Sequence, residues 1–396
     1  MGRLEIMQGG AAVANAVKNC EPNVIAAYPI TPATIIVESL AEFVADGILK
    51  AEYINVESEH SAISALIGAS SVGARTFSAT SSQGLALMHE ALFNASGLRL
   101  PVVMVVANRA LSAPLSIWND QQDSISQRDS GWIQLYAEDV QEAVDMCVQA
   151  YRVAEDPKVL LPAMVCMDGF ILTHVYEPVE IPPLEEVRRF LPPFNPKNKL
   201  IPECPLSFGM FADPSFYTEF KYLQHTAFME AKKTIKKVAS EFCKSFGRDN
   251  YGDLIQEYRT KDAEVVLVSM GSLIGTLKDA VDDLREKGIK VGVLKVRSFR
   301  PFPSEEIYNS IKEAKAIAVI EKDISLGLGG ALLLEIRSEL YSKPKKPITL
   351  GFIAGLGGRD IPKPSINRVV EKAFAAAEGR KAKEEVEFLD LRKEMI

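Results

Sequence analysis

The stretch Val24-Ile25-Ala26-Ala27-Tyr28-Pro29-Ile30-Thr31-Pro32-Ala33, running on into Thr34-Ile35-Ile36-Val37-Glu38-Ser39-Leu40, decides the fold class. Residues 24–28 form a short apolar run of strand length. Two prolines then fix a turn, and from 34 to 44 apolar residues recur at helical spacing. A strand feeding directly into a helix is half of a βαβ unit. Outward from it the unit repeats. Residues 53–56, 75–79, 102–107 and 159–167 read as strands, and 11–19, 61–68, 85–96 and 140–154 as helices. This alternation predicts a doubly wound α/β domain over 1–175, a parallel sheet with helices on both faces.

Residues 176–258 break the pattern. Pro178, Pro182, Pro183, Pro192, Pro193, Pro196, Pro202, Pro205 and Pro214 oppose regular helix and central strand. Phe190, Phe194, Phe208, Phe211 and Phe216 give the stretch too many anchors for a solvated tether, which predicts an ordered arm on the first domain or on a partner. Residues 216–246 then read as one long amphipathic helix. A second alternating unit follows over 259–380, with strands at 265–270, 291–296, 317–320 and 348–353 and helices near 273–287, 304–313, 328–340 and 366–380. Residues 381–396 read as a charged surface helix or tail. At 396 residues the chain suits two domains.

Composition excludes some functions. No run approaches eighteen apolar residues, so no membrane span is expected. A net charge of −7 argues against a nucleic-acid partner and leaves anionic substrates needing a local cationic pocket. Cys20, Cys147, Cys166, Cys204 and Cys243 are odd in number, widely spaced and mostly inside apolar runs, as expected of reduced, buried thiols in a cytoplasmic protein. No C-x-x-C occurs, and His89, His174 and His225 lack partners at metal spacing, so no metal site is expected on this chain.

Chemistry is sought where strands end, because open α/β sheets bind ligands at their carboxyl edge. At the first junction Thr31 is either a ligand or the cap of the next helix. The second, Val56-Glu57-Ser58-Glu59-His60-Ser61, puts two carboxylates before a helix of small residues. Either carboxylate could simply complement the helix dipole, or one could be buried against a heterocycle and exchange a proton with it. The third, Ala79-Thr80-Ser81-Ser82-Gln83-Gly84, offers backbone N–H groups to an anion. At the fourth, Asn108-Arg109, the guanidinium suits a carboxylate or a structural ion pair. Beyond it, 111–123 has no regular pattern and reads as an active-site loop containing Ser112, Ile117, Trp118 and Asn119. The glycine-rich stretches 325–330 and 355–360 lack a nucleotide-loop spacing and read as tight turns.

Together, Ala27-Tyr28-Pro29-Ile30-Thr31-Pro32, Val56-Glu57-Ser58-Glu59-His60-Ser61-Ala62, Thr80-Ser81-Ser82-Gln83-Gly84, Asn108-Arg109-Ala110-Leu111-Ser112-Ala113-Pro114, Trp118-Asn119-Asp120, Gln127-Arg128-Asp129-Ser130-Gly131-Trp132 and Arg300-Pro301-Phe302-Pro303 resemble the α subunits of multi-subunit 2-oxoacid:ferredoxin oxidoreductases, those acting on pyruvate in particular. The resemblance implies a pyrimidine-type thiamine-diphosphate-binding domain followed by a transketolase C-terminal-like α/β domain. It implies that Glu59 hydrogen-bonds the aminopyrimidine ring and promotes its imino tautomer, and that Thr31 and Arg109 bind the oxoacid. Tyr28, Pro29, Ile30, Ser82 and Gln83 would line the cofactor. The resemblance further implies coenzyme A as co-substrate, ferredoxin as electron carrier, and β-, γ- and δ-type subunits (or fused equivalents) carrying Mg2+ and [4Fe-4S] clusters. The sequence agrees in one respect: it has no G-D-G motif for a diphosphate-bound metal and no cysteine cluster, so it supplies half of such a site. A branched-chain oxoacid, a transketolase-like enzyme without electron transfer, and a non-catalytic scaffold remain as alternatives.

Overall fold

The computed structural model describes residues 4–248, 253–380 and 386–396. Its first unit opens with β1 (Leu4–Gln8), α1 (Gly9–Asn19), β2 (Val24–Ala27), α2 (Thr34–Ala45), β3 (Glu52–Asn55), α3 (Glu59–Ser71) and β4 (Thr76–Thr80). Two helices, α4 (Ser82–Leu87) and α5 (His89–Gly97), lead to β5 (Val103–Asn108). A loop and the short α6 (Gln122–Ile125) then lead to β6 (Ile133–Tyr136), α7 (Val140–Ala154) and β7 (Ala163–Asp168). The connector holds β8 (Tyr176–Glu180), α8 (Leu184–Phe190) and α9 (Tyr217–Phe246). The second unit begins β9 (Ile255–Tyr258), β10 (Val265–Ser269), α10 (Leu273–Glu286), β11 (Val291–Val296), β12 (Ser298–Arg300) and α11 (Ser304–Ile311). It ends β13 (Ala316–Glu321), α12 (Ala331–Leu340), β14 (Ile348–Ile353), α13 (Lys363–Ala377) and β15 (Val386–Phe388).

Two α/β layers result. The larger sheet has the order β12-β6-β7-β5-β4-β2-β3 and is parallel except for β12, which runs antiparallel to β6. β4, β5 and β7 are buried at every position, as strands covered on both faces must be. The second sheet, β15-β14-β13-β10-β11-β9, is parallel except for β9. In the first sheet Ala27 pairs with Asn55, Thr80 with Val106 and Asn108 with Asp168, so the carboxyl ends of five strands line one edge.

Several expectations are corrected. The strand expected at 159–167 begins only at Ala163, because Leu160 takes a left-handed φ of 42° and Pro162 follows it. β6 escaped notice because Gln134 interrupts its apolar run. The arm is partly regular: β8 pairs with β1 in a two-stranded ribbon, where the missing N–H of Pro178 is tolerated. β12, taken by sequence as part of the second unit, completes the first sheet. In the closing stretch, read as a helix or tail, β15 adds a parallel strand to β14, while 381–385 lie outside the described residues. Of the cysteines, Cys204 is exposed and Cys243 half-buried, against three that are buried. Among the described residues no helix is long and apolar enough to cross a membrane.

The two units meet through buried charge. Glu142 accepts hydrogen bonds from Lys295 Nζ (2.7 Å) and Arg297 Nε (3.1 Å), and Glu138 pairs with Lys278 Nζ (2.7 Å).

Candidate active site

Glu59 is the first residue of α3. Ser58 caps that helix through its hydroxyl, which accepts from Ser61 N at 3.3 Å. The Glu59 side chain is only 6% exposed, and no described residue donates a hydrogen bond to its carboxylate. A methyl added at Gly84 would lie 2.5 Å from Glu59 Oε1 and 2.6 Å from Thr80 Oγ1. The carboxylate therefore lies directly over Gly84, beside the end of β4. The rival carboxylate, Glu57, is exposed and accepts from the Ser61 hydroxyl, which holds it below the ordinary carboxylate range. Around this spot the buried Thr80 Oγ1, Ser81 Oγ and Asn108 Oδ1 also lack a partner. A buried unpaired carboxylate is expensive, and a ring nitrogen bearing a proton would relieve it. Glu59, seated against a Gly84 that has no side chain to displace it, and these orphaned oxygens fit the pyrimidine end of a thiamine coenzyme.

One carboxylate organises the neighbouring junctions. Asp123 Oδ2 accepts from the backbone N–H groups of Ser82 and Arg109 (2.9 Å each), and Oδ1 accepts from Asn108 Nδ2 (2.8 Å) and Ser124 N (2.7 Å). Burial pushes its carboxyl up to about 7, against these donors, which favour the ion. Ser82 holds a left-handed φ of 47°, a strained conformation for a residue with a side chain, locked at its N–H by Asp123 and at its hydroxyl by Ala110 O.

Arg109 is 8% exposed. Its guanidinium donates to Thr31 O (3.0 Å) and Ser116 O (3.1 Å), and no described carboxylate pairs with it. Burial lowers its pKa from the ordinary value, with the Asp123 charge acting the other way. A buried guanidinium held by two carbonyls keeps its charge available to an incoming carboxylate. Thr31 is thus joined to Arg109 through its carbonyl, and the residue itself is exposed on the turn before α2. Gln83 reaches the same loop by donating to Ser112 Oγ. Tyr28 and Pro29 are exposed and Ile30 packs on the core edge, on the turn before Thr31. Ser112 and Ile117 are exposed, whereas Asn119 is buried and linked to Asn108 O (3.4 Å) and Lys322 Nζ (3.2 Å). Trp118 is half exposed and packs on Phe170, ring centroids 4.6 Å apart and planes tilted by 44°.

Sequence reasoning missed Asp123, Asp168 and Lys322. A signal existed for the last two: each is a charged residue directly ending or following an apolar strand, at the sheet edge where ligands bind. Asp123 sits in a polar turn and carries no such mark. Among the described residues no group of three or more His, Cys, Asp or Glu could hold a metal ion.

Residues 15–240 match the family model for pyruvate flavodoxin/ferredoxin oxidoreductase, thiamine-diphosphate-binding, and residues 263–366 match pyruvate:ferredoxin oxidoreductase core domain II. The pyruvate synthase subunit PorA of Methanosarcina barkeri is 55% identical over 396 residues, covering 100% of this chain and 98% of that protein. The ketoisovalerate oxidoreductase subunit VorA of Pyrococcus abyssi is 48% identical, covering 98% of each. Among solved structures, the 2-oxoglutarate:ferredoxin oxidoreductase of Magnetococcus marinus superposes with a TM-score of 0.73 at 24% identity, over 93% of this chain and 65% of that longer one. A split-gene transketolase superposes at 0.52 and 13% identity, over 95% of this chain and 99% of that one, a likeness of fold alone.

Proposed function

The chain belongs to the pyruvate:ferredoxin oxidoreductase family, and on that premise we propose that it is the α subunit of an enzyme that oxidatively decarboxylates pyruvate to acetyl-coenzyme A, or runs the reverse synthesis. The observation that carries this reading is Glu59, buried over Gly84 with no donor among the described residues. Bound thiamine diphosphate supplies a nucleophilic carbon for the oxoacid carbonyl and accepts the electron pair that carbon dioxide leaves behind. Glu59 holds a proton at the pyrimidine ring nitrogen and so sets the base that activates this carbon. Arg109, tied by a hydrogen bond to the Thr31 carbonyl, orients the oxoacid carboxylate. Ser82, Gln83 and the turn Tyr28-Pro29-Ile30 frame the coenzyme.

The diphosphate grip, Mg2+ and [4Fe-4S] clusters fall to β-, γ- and δ-type subunits, because this sequence has neither a G-D-G motif nor a cysteine cluster and its relatives are named as subunits. Electrons then pass to ferredoxin and the acyl group to coenzyme A. A cytoplasmic location suits free thiols such as the exposed Cys204.

The test is Glu59→Gln in the co-purified complex. Turnover drops on the order of 10²-fold or more; undiminished turnover rejects the reading. Arg109→Ala raises KM for the oxoacid with a smaller change in kcat. The 48% identity to a ketoisovalerate enzyme subunit favours a second reading, a branched-chain oxoacid. Comparing kcat/KM for pyruvate and 3-methyl-2-oxobutanoate decides between them.

A further inference from the structure

Lys322 follows β13 at the carboxyl edge of the second sheet and is 4% exposed. Its ammonium donates to Asp168 Oδ2 (2.8 Å), Ser272 Oγ (3.1 Å) and Asn119 Oδ1 (3.2 Å). An ammonium has three protons and these three acceptors use them all, so Lys322 has none left for a substrate. One of the three, Asn119, lies in the loop between β5 and α6.

The second unit grips that loop at four successive residues. A methyl on Gly358 would stand 2.6 Å from Trp118 Cβ. Asn119 takes the Lys322 ammonium, Asp120 Oδ2 accepts from Gly357 N (3.2 Å), and Gln121 N donates to Lys322 O (2.8 Å). Just before this gripped segment the loop turns outward, with Leu115 72% exposed. There Ser116 O accepts from Arg109 Nε (3.1 Å), while Trp118 O accepts from Ala110 N (3.0 Å). Apart from these bonds, the outward part is tied by the Gln83 contact to Ser112 and by the Ser116 hydroxyl, which accepts from Trp118 N. The position of Ser116, and with it the aim of the guanidinium, is therefore set largely from 118–121.

We propose that the second domain acts as a brace for the substrate loop, with Lys322 as the positioning residue that holds Arg109 in register through Asn119. The proposal rests on the reading of Arg109 as the ligand of the oxoacid carboxylate. It assigns the second domain a share in substrate binding although none of its residues is placed on the substrate. A loop residue displaced by an ångström can cost a large factor in rate or binding, which gives such a brace its purpose.

The experiment uses the assembled holoenzyme carrying Lys322→Met or Asn119→Ala, each also combined with Arg109→Ala. Each single variant is expected to raise KM for pyruvate about 10-fold with kcat within about twofold, and to add nothing further once Arg109 is already alanine. Should Lys322→Met fail to assemble, Asn119→Ala carries the test, because Lys322 then keeps Asp168 and Ser272. Two results overturn the brace: an unchanged KM in an intact Asn119→Ala enzyme, or KM increments that persist in the Arg109→Ala background. If Arg109→Ala itself leaves KM unchanged, the substrate reading fails first and the brace falls with it, a pattern distinct from the other two.

Discussion

Glu142 and Glu59 are both buried acids in the first turn of a helix, α7 and α3 respectively, yet their surroundings are opposite. Glu142, at the seam between the units, receives Lys295, Arg297 and the backbone N–H of Glu138 (2.6 Å). Glu59, at the sheet edge, receives nothing from the described residues. Desolvating a carboxylate costs several kcal/mol, which the seam offsets with paired charge and the edge leaves standing. A charge that the fold has paired reports on architecture. A buried charge left unpaired marks where a ligand belongs.

The largest expected effect is on the seam. Glu142→Gln leaves Lys295 and Arg297 without their shared carboxylate and should lower stability by about 3–5 kcal/mol, read by urea unfolding. Activity per assembled enzyme should hold. Glu59→Gln should do the converse, abolishing most turnover while leaving the urea midpoint equal or higher, since it removes an uncompensated charge. A clear loss of stability in Glu59→Gln would break the contrast.

Gly84→Ala sharpens it. Its methyl would meet Glu59 Oε1 at 2.5 Å and push the carboxylate aside. Activity should fall by about 10-fold or more, whereas helix propensity favours alanine by up to about 1 kcal/mol and so limits any loss of stability.

The smallest effect is in pH dependence. Asp139 caps α7, accepting from Glu142 N at 2.7 Å. Burial first, and the charge of Glu142 second, raise its carboxyl from 3.8 to about 6. Between those values the folded chain holds more protons than the unfolded one, so this group's contribution makes stability fall as pH rises from 3.8 to about 6 and level off above. Asp139→Asn keeps a good cap and should flatten that slope, measured as urea midpoints across the window.

Much of the proposed site was legible because each of its members closely follows a strand. Thr31, Glu59, Ser82 and Arg109 could all be placed at one sheet edge from the alternation of strand and helix. The choice between Glu57 and Glu59 was harder, since both precede the same helix; burial separates them, Glu57 being exposed and Glu59 enclosed. Asp123 stayed hidden because its importance lies in four donors gathered from three chain segments, and no local pattern announces that. β12 was hidden for a related reason: three residues have too little periodicity to show which sheet they join.

By itself, then, the sequence determined the βα alternation, the two-unit division and the set of polar residues delivered to the carboxyl edge, because hydrophobic periodicity and proline turns act over a few neighbouring residues. Only the tertiary structure decided which of those charges are paired. Lys322 meets Asp168 across 154 positions and Lys295 meets Glu142 across 153. Contacts of that separation are set by how whole layers pack, so the same burial leaves Glu142 satisfied and Glu59 without a donor among the described residues.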